Sequence, residues 1–67
     1  MLTIQVNGQE QQVPSGATIA EVLRLAGVPR QFCAVELNLE ILPRNQYDER
    51  LVQDGDVLEV VTLVGGG

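Results

Sequence analysis

Apolar and polar positions alternate from the first residues of the chain. Leu2, Ile4 and Val6 are separated by Thr3 and Gln5, a period of two that predicts a strand with one face buried. Asn7-Gly8 follows, and because both residue types tolerate positive φ the pair predicts a tight hairpin. Gln11 to Val13 returns as a second strand, and Pro14-Ser15-Gly16 stops it. The period then changes. Ile19, Val22, Leu23 and Ala26 fall at i, i+3, i+4 and i+7, the single apolar stripe of a helix. Thr18 and Glu21 form a T-x-x-E capping box, which pairs N–H groups that the first turn leaves free. Gly27 can take the left-handed conformation that closes a helix, and Pro29 blocks its resumption. Alternation resumes over Phe32 to Leu37, a third strand. Asn38 marks a tight turn, and Leu39 to Leu42 reads as a short fourth strand ended by Pro43. Asn45 to Leu51 has no clear period and reads as irregular, with room for one helical turn. Asp54-Gly55-Asp56 makes a further turn, and Val57 to Val64 is the last and most apolar strand.

The predicted order is strand, strand, helix, strand, short strand, strand. One helix covers one face of one sheet, so the fold class is α+β, with a mixed sheet of four to five strands packed on one helix. This is the layout of a ubiquitin-like β-grasp. The first and last strands would lie side by side at its centre, joined through a right-handed crossover. Residues 1–64 form the expected β-grasp domain, and residues 65–67 a flexible C-terminal glycine tail.

Composition narrows the classes of function. A single domain of 67 residues buries only about 60% of the surface its unfolded chain exposes. The usual range per residue gives it about 3–10 kcal/mol of net stability. Little volume is left for an enclosed active site, which favours a chain that other proteins act on. The net charge is −5, with four basic residues, all Arg. An acidic surface lacks the footprint needed for phosphate backbones, so neither nucleic acid nor anionic membrane is an expected partner. A basic protein surface is. Cys33 is the single cysteine and there is no His, which excludes an internal disulfide and an ordinary zinc site. A reducing cytoplasm is the natural setting. The segment Met1-Leu2-Thr3-Ile4-Gln5-Val6 has neither the basic start of a signal peptide nor the long apolar run of a membrane span.

The candidate chemistry lies in Gly65-Gly66-Gly67. Glycine has no Cβ, so an enzyme can close tightly around such a backbone. The terminal carboxylate would project on a thin leash. A carboxylate is a poor electrophile, but adenylation by ATP turns it into an acyl-AMP. A sulfur nucleophile such as a persulfide then converts that to a thiocarboxylate. A frayed end is the plain alternative, because termini are often poorly ordered.

The sequence resembles the thiamin-biosynthesis sulfur carriers, the ThiS family, over nearly its whole length. The resemblance is densest in Ala34-Val35-Glu36-Leu37-Asn38 and Ile41-Leu42-Pro43-Arg44-Asn45-Gln46-Tyr47. It continues through Leu51-Val52-Gln53-Asp54-Gly55-Asp56 and ends in Glu59-Val60-Val61 and Gly65-Gly66-Gly67. It implies that Gly67 is the modified residue, adenylated and then thiocarboxylated, with Gly65 and Gly66 threaded into the partner enzymes. As the sequence stands it ends on that glycine and is expected to need no trimming. The implied partners are an adenylyltransferase related to ubiquitin-activating enzymes, a persulfide donor such as a cysteine desulfurase, and thiazole synthase. ATP is used by the activating enzyme, and no cofactor is expected on the chain itself. The chain is then a protein co-substrate, not an enzyme. Leu39 departs mildly from the family pattern, since its turn position would suit a small or polar residue.

Alternation also assigns faces. Cys33, Val35, Leu37, Leu58 and Val60 should face the helix. Phe32, Ala34, Val57, Val61 and Leu63 should share the outer face with Glu36 and Glu59. An exposed apolar patch of that kind marks a partner-docking site, unless a bulge or a dimer buries it. Cys33 reads as a core residue, with no His or Lys to lower its pKa. Arg44 suits either a structural cap or a partner contact. Asp54 and Asp56 read as turn residues that bond nearby N–H groups. Tyr47 is expected to pack its ring at the end of the sheet with its hydroxyl wet. Three other readings stay open: the small subunit of molybdopterin synthase, a carrier for tRNA thiolation, and a β-grasp module with no covalent chemistry. The last predicts that removing Gly66 and Gly67 changes nothing.

Overall fold

The computed structural model describes residues 1–62. Strands β1 (Leu2–Val6) and β2 (Gln9–Val13) form the first hairpin, followed by helix α1 (Ile19–Leu25). Strands β3 (Cys33–Leu37) and β4 (Glu40–Leu42) form the second hairpin, and β5 (Val57–Thr62) closes the sheet. The strand order is β2-β1-β5-β3-β4. β1 and β5 run parallel, while the other neighbours are antiparallel. The first and last strands therefore lie side by side near the middle of the sheet, as the layout required.

Turn chemistry sets the registers. Asn7 and Gly8 both hold positive φ (52° and 81°), and Val6 pairs with Gln9. The second strand thus begins at Gln9, two residues before the Gln11 expected, because a two-residue turn of this hand leads straight into pairing. The second hairpin repeats the geometry. Asn38 and Leu39 have φ of 51° and 73°, and Leu37 pairs with Glu40. Leu39 is therefore a turn residue, outside the fourth strand. Phe32 also leaves its expected strand and closes a 3-10 turn, Arg30–Phe32.

Thr18 caps α1. Its hydroxyl accepts the Glu21 N–H at 3.2 Å, and the Glu21 carboxylate accepts the Thr18 N–H at 3.1 Å. At the other end Gly27 has φ 75°. Gly27 N–H donates to Arg24 and Val28 N–H to Leu23, the paired bonds of a Schellman closure. Ile19, Val22 and Leu23 are buried and join Ile4, Val13, Val35, Leu37, Leu58 and Val60 in one core. The stretch from Pro43 to Leu51 is more ordered than its sequence suggests. A 3-10 turn, Arg44–Gln46, carries the chain over the start of α1. There Ile19 N–H donates to the Arg50 carbonyl and Ala20 N–H to the Tyr47 carbonyl. Two helix N–H groups without intrahelical acceptors are thereby paired. Tyr47 is 1% exposed, so its hydroxyl is drawn inside with the ring. The expected wet hydroxyl is corrected by this loop, which wraps Tyr47 against the core cluster. No helix among the described residues is long and apolar enough to cross a membrane.

Candidate functional site

Strand β5 leads to the glycine end of the chain, and the fold fixes it from both sides. At its start, Asn38 donates its backbone N–H to the Val57 carbonyl at 2.8 Å. Its side-chain oxygen accepts the Val57 N–H at 2.9 Å. The Asn38 amide donates to Asp56 Oδ1 at 3.0 Å, and Asp56 Oδ2 accepts the Gln53 N–H at 2.8 Å. Asp54 Oδ1 accepts the Thr3 N–H at 2.8 Å. Asp56 thus acts as a turn residue, as expected from Asp-Gly-Asp, while Asp54 differs from that expectation and ties the turn to β1 through Thr3.

Further along, β1 ends at Val6, but the ladder to β5 continues. The Asn7 N–H donates to the Leu58 carbonyl at 2.9 Å. Its side-chain oxygen accepts the Val60 N–H at 2.7 Å, and its amide donates to the Val60 carbonyl at 3.1 Å. One side chain does what the next strand residue would have done. Sequence reasoning saw Asn7 only as a turn former. Its second role depends on a strand more than fifty positions away, and no local pattern reports it.

Of the expected patch, Val61 is 58% exposed on the outer face of the sheet, whereas Phe32, 52% exposed, lies in the 3-10 turn before β3 and not in the sheet. Ala34 is exposed and lies directly opposite Val61. Val57 sits apart, beside Gln5 of β1. Between it and the Ala34–Val61 pair stand Glu59 and, directly opposite, Glu36. Ile41, 79% exposed, pairs with Glu36 on the other side and belongs to the same face. Its place follows from the two-residue turn: once Leu37 pairs with Glu40, Ile41 must share a face with Glu36. Leu63, Gly65, Gly66 and Gly67 lie outside the described residues.

The remaining candidates are structural. Cys33 is fully buried. Burial pushes its thiol up, more than the nearby Arg44 and Arg30 pull it down, so the thiolate form is disfavoured. Arg44 donates to the Gln31 carbonyl at 2.8 Å, holding the 3-10 turn before β3. Arg30 forms an ion pair with Asp48 and lies over the Tyr47 ring, 5.8 Å from its centroid. Among the described residues no cluster of three or more His, Cys, Asp or Glu is placed to hold a metal ion.

The model of the ThiS family matches residues 3–67. The chain belongs to the ThiS family. A ThiS-family relative from Escherichia coli K12, named sulfur carrier protein ThiS, is 32% identical over 66 residues, covering 98% of this chain and 100% of the relative. The crystal structure of a thiamine biosynthesis protein (ThiS) from Geobacter metallireducens superimposes with a TM-score of 0.81 at 33% identity. It covers 98% of this chain and 100% of that one. A thiazole synthase from Paramagnetospirillum magneticum is 39% identical over 66 residues. There the match takes in 98% of this chain but spans only 20% of the synthase. The β-grasp expected from the order of elements is thus the fold of the ThiS family.

Proposed function

We propose that this chain is the sulfur carrier for thiazole formation in thiamin biosynthesis. The observation that carries the reading is the end-to-end match to a named sulfur carrier, in a chain whose sequence carries Gly65-Gly66-Gly67. On this reading Gly67 is the working residue. Its carboxylate attacks the α-phosphorus of ATP on an adenylyltransferase, releasing pyrophosphate. The terminal sulfur of a persulfide on a donor such as a cysteine desulfurase then displaces AMP to give an acyl disulfide. A thiol reductant cleaves its S–S bond, becoming a disulfide itself and leaving the thiocarboxylate. Thiazole synthase takes the sulfur. Support for that last partner comes from the thiazole synthase in which a segment similar to this whole chain occurs. The chain acts as co-substrate throughout, and the cytoplasm is its proposed setting.

Docking falls to Ala34, Val57 and Val61 of the outer sheet face and to Phe32 in the turn before β3, with Leu63 as a further contact, while Gly65 and Gly66 thread the tail into each enzyme. Adenylation is reversible, so it can be read as exchange of pyrophosphate into ATP. With the adenylyltransferase present, exchange is expected only when the full chain is added. A chain lacking Gly66 and Gly67 is expected to support none. Exchange that persists with the shortened chain overturns the assignment to Gly67, because another carboxylate is then adenylated, and no exchange with the full chain favours a module without covalent chemistry.

A further inference from the structure

The outer sheet face carries an uncompensated pair of like charges at its centre. Glu36 and Glu59 are exposed and directly opposite on adjacent antiparallel strands. Directly opposed Cβ atoms lie about 5 Å apart, and like charges so placed destabilise a sheet. Neither carboxylate is paired with a cation of the chain among the described residues. Arg30 pairs with Asp48, and Arg44 donates to the backbone before β3. Arg24 rides on α1, across the sheet from this face. Arg50 lies in the loop over the start of α1 and lines a cleft with Glu40 and Ile41 at the β4 edge. Ala34 and Val61 lie along one side of the two carboxylates and Ile41 at the edge, while Asn7, bonded to Val60, borders Glu59 on the β1 side. The free domain thus keeps a repulsive pair in the middle of a surface that its fold could have left neutral.

We propose that Glu36 and Glu59 together hold one arginine guanidinium of the partner protein that docks on this face, with Ala34, Val61 and Ile41 receiving the apolar side chains around it. This rests on the docking reading above and adds the chemistry that the partner must present. A guanidinium offers five donors in a planar fork and spans two carboxylates, where the point charge of a lysine ammonium has no such geometry. Docking converts the Glu36–Glu59 repulsion into attraction, and the surrounding aliphatic contacts exclude the water that would weaken it. A cation held in this way contributes to specificity and to the rate of encounter as well as to affinity.

The test is titration of the full chain against purified thiazole synthase and against the adenylyltransferase, at low and high salt. The variants are E36Q/E59Q, which keeps shape and removes charge, and Val61→Asp. The double variant should be at least as heat-stable as the parent, since it relieves the repulsion. It should bind at least one of the two enzymes about tenfold or more weakly, with a shallower dependence on salt. Parental binding of both enzymes by E36Q/E59Q, while Val61→Asp is impaired, overturns the arginine anchor and leaves the docking face standing. Parental binding of both enzymes by Val61→Asp as well overturns the docking reading itself. A parent chain that sediments as a dimer, and a double variant that does not, overturns the proposal by making a second copy the occupant.

Discussion

Leu39 holds a φ of +73° and is 88% exposed. A bulky side chain in the left-handed region costs about 1–2 kcal/mol, and here no burial offsets it. Replacing Leu39 with Gly restores the Asn-Gly pair that the first hairpin uses, against a loss of up to about 1 kcal/mol from the freer unfolded chain. The net gain is expected to be a few tenths to 1 kcal/mol, seen as a rise of a few degrees in Tm. A lower Tm would show that Leu39 makes a stabilising contact. The sequence marked this turn at Asn38 but counted Leu39 in the strand. Alternation alone does not say how many residues a hairpin turn uses. Tyr47 was misread for a related reason. Its burial is created by the loop from Pro43 to Leu51, whose order comes from backbone bonds to Ile19 and Ala20, and such bonds leave no periodic trace in the sequence.

Among the elements, α1 and β5 show where local pattern suffices and where it does not. The T-x-x-E box, Gly27 and three members of the apolar stripe, Ile19, Val22 and Leu23, took the place the sequence assigned, because caps and stripes are local properties. Ala26, the fourth, is the exposed C-cap, because the helix ends at Leu25. The faces of β3 and β5 were legible for the same reason. The support of β5 was not, since Asn7 reaches Val60 only after the parallel β1–β5 pair has formed. Asn7→Ala removes both side-chain bonds to Val60 and leaves part-buried backbone groups without them. The expected cost is about 1–3 kcal/mol, read as a lower urea midpoint with an unchanged slope. Exchange of the Val60 amide should also quicken relative to Val35. Equal protection of Val60 in the variant would mean that another group holds the strand.

At the scale of the whole molecule, stability is expected to fall on the alkaline side. Burial pushes up both the Cys33 thiol and the Tyr47 phenol. The folded state therefore keeps protons that the unfolded chain has already lost, and stability falls as pH rises. The decline should start near pH 9, where an unperturbed thiol titrates, and steepen above pH 10 with the phenol. In Cys33→Ala the onset should move up to the phenol range. A urea midpoint that is flat from about pH 8 to 11 would contradict the burial of both groups. The whole molecule is also the scale of function. An acidic 67-residue domain with a rigid central strand is suited to present its end to other proteins, and the central claim is that Gly67 carries sulfur there. The most direct measurement is the intact mass of the chain after incubation with the adenylyltransferase, ATP, a persulfide donor and a thiol reductant, followed by fragmentation. The account predicts a gain equal to one sulfur replacing one oxygen, confined to the C-terminal residue. An unchanged mass with competent enzymes, or sulfur found on Cys33 instead, would contradict it.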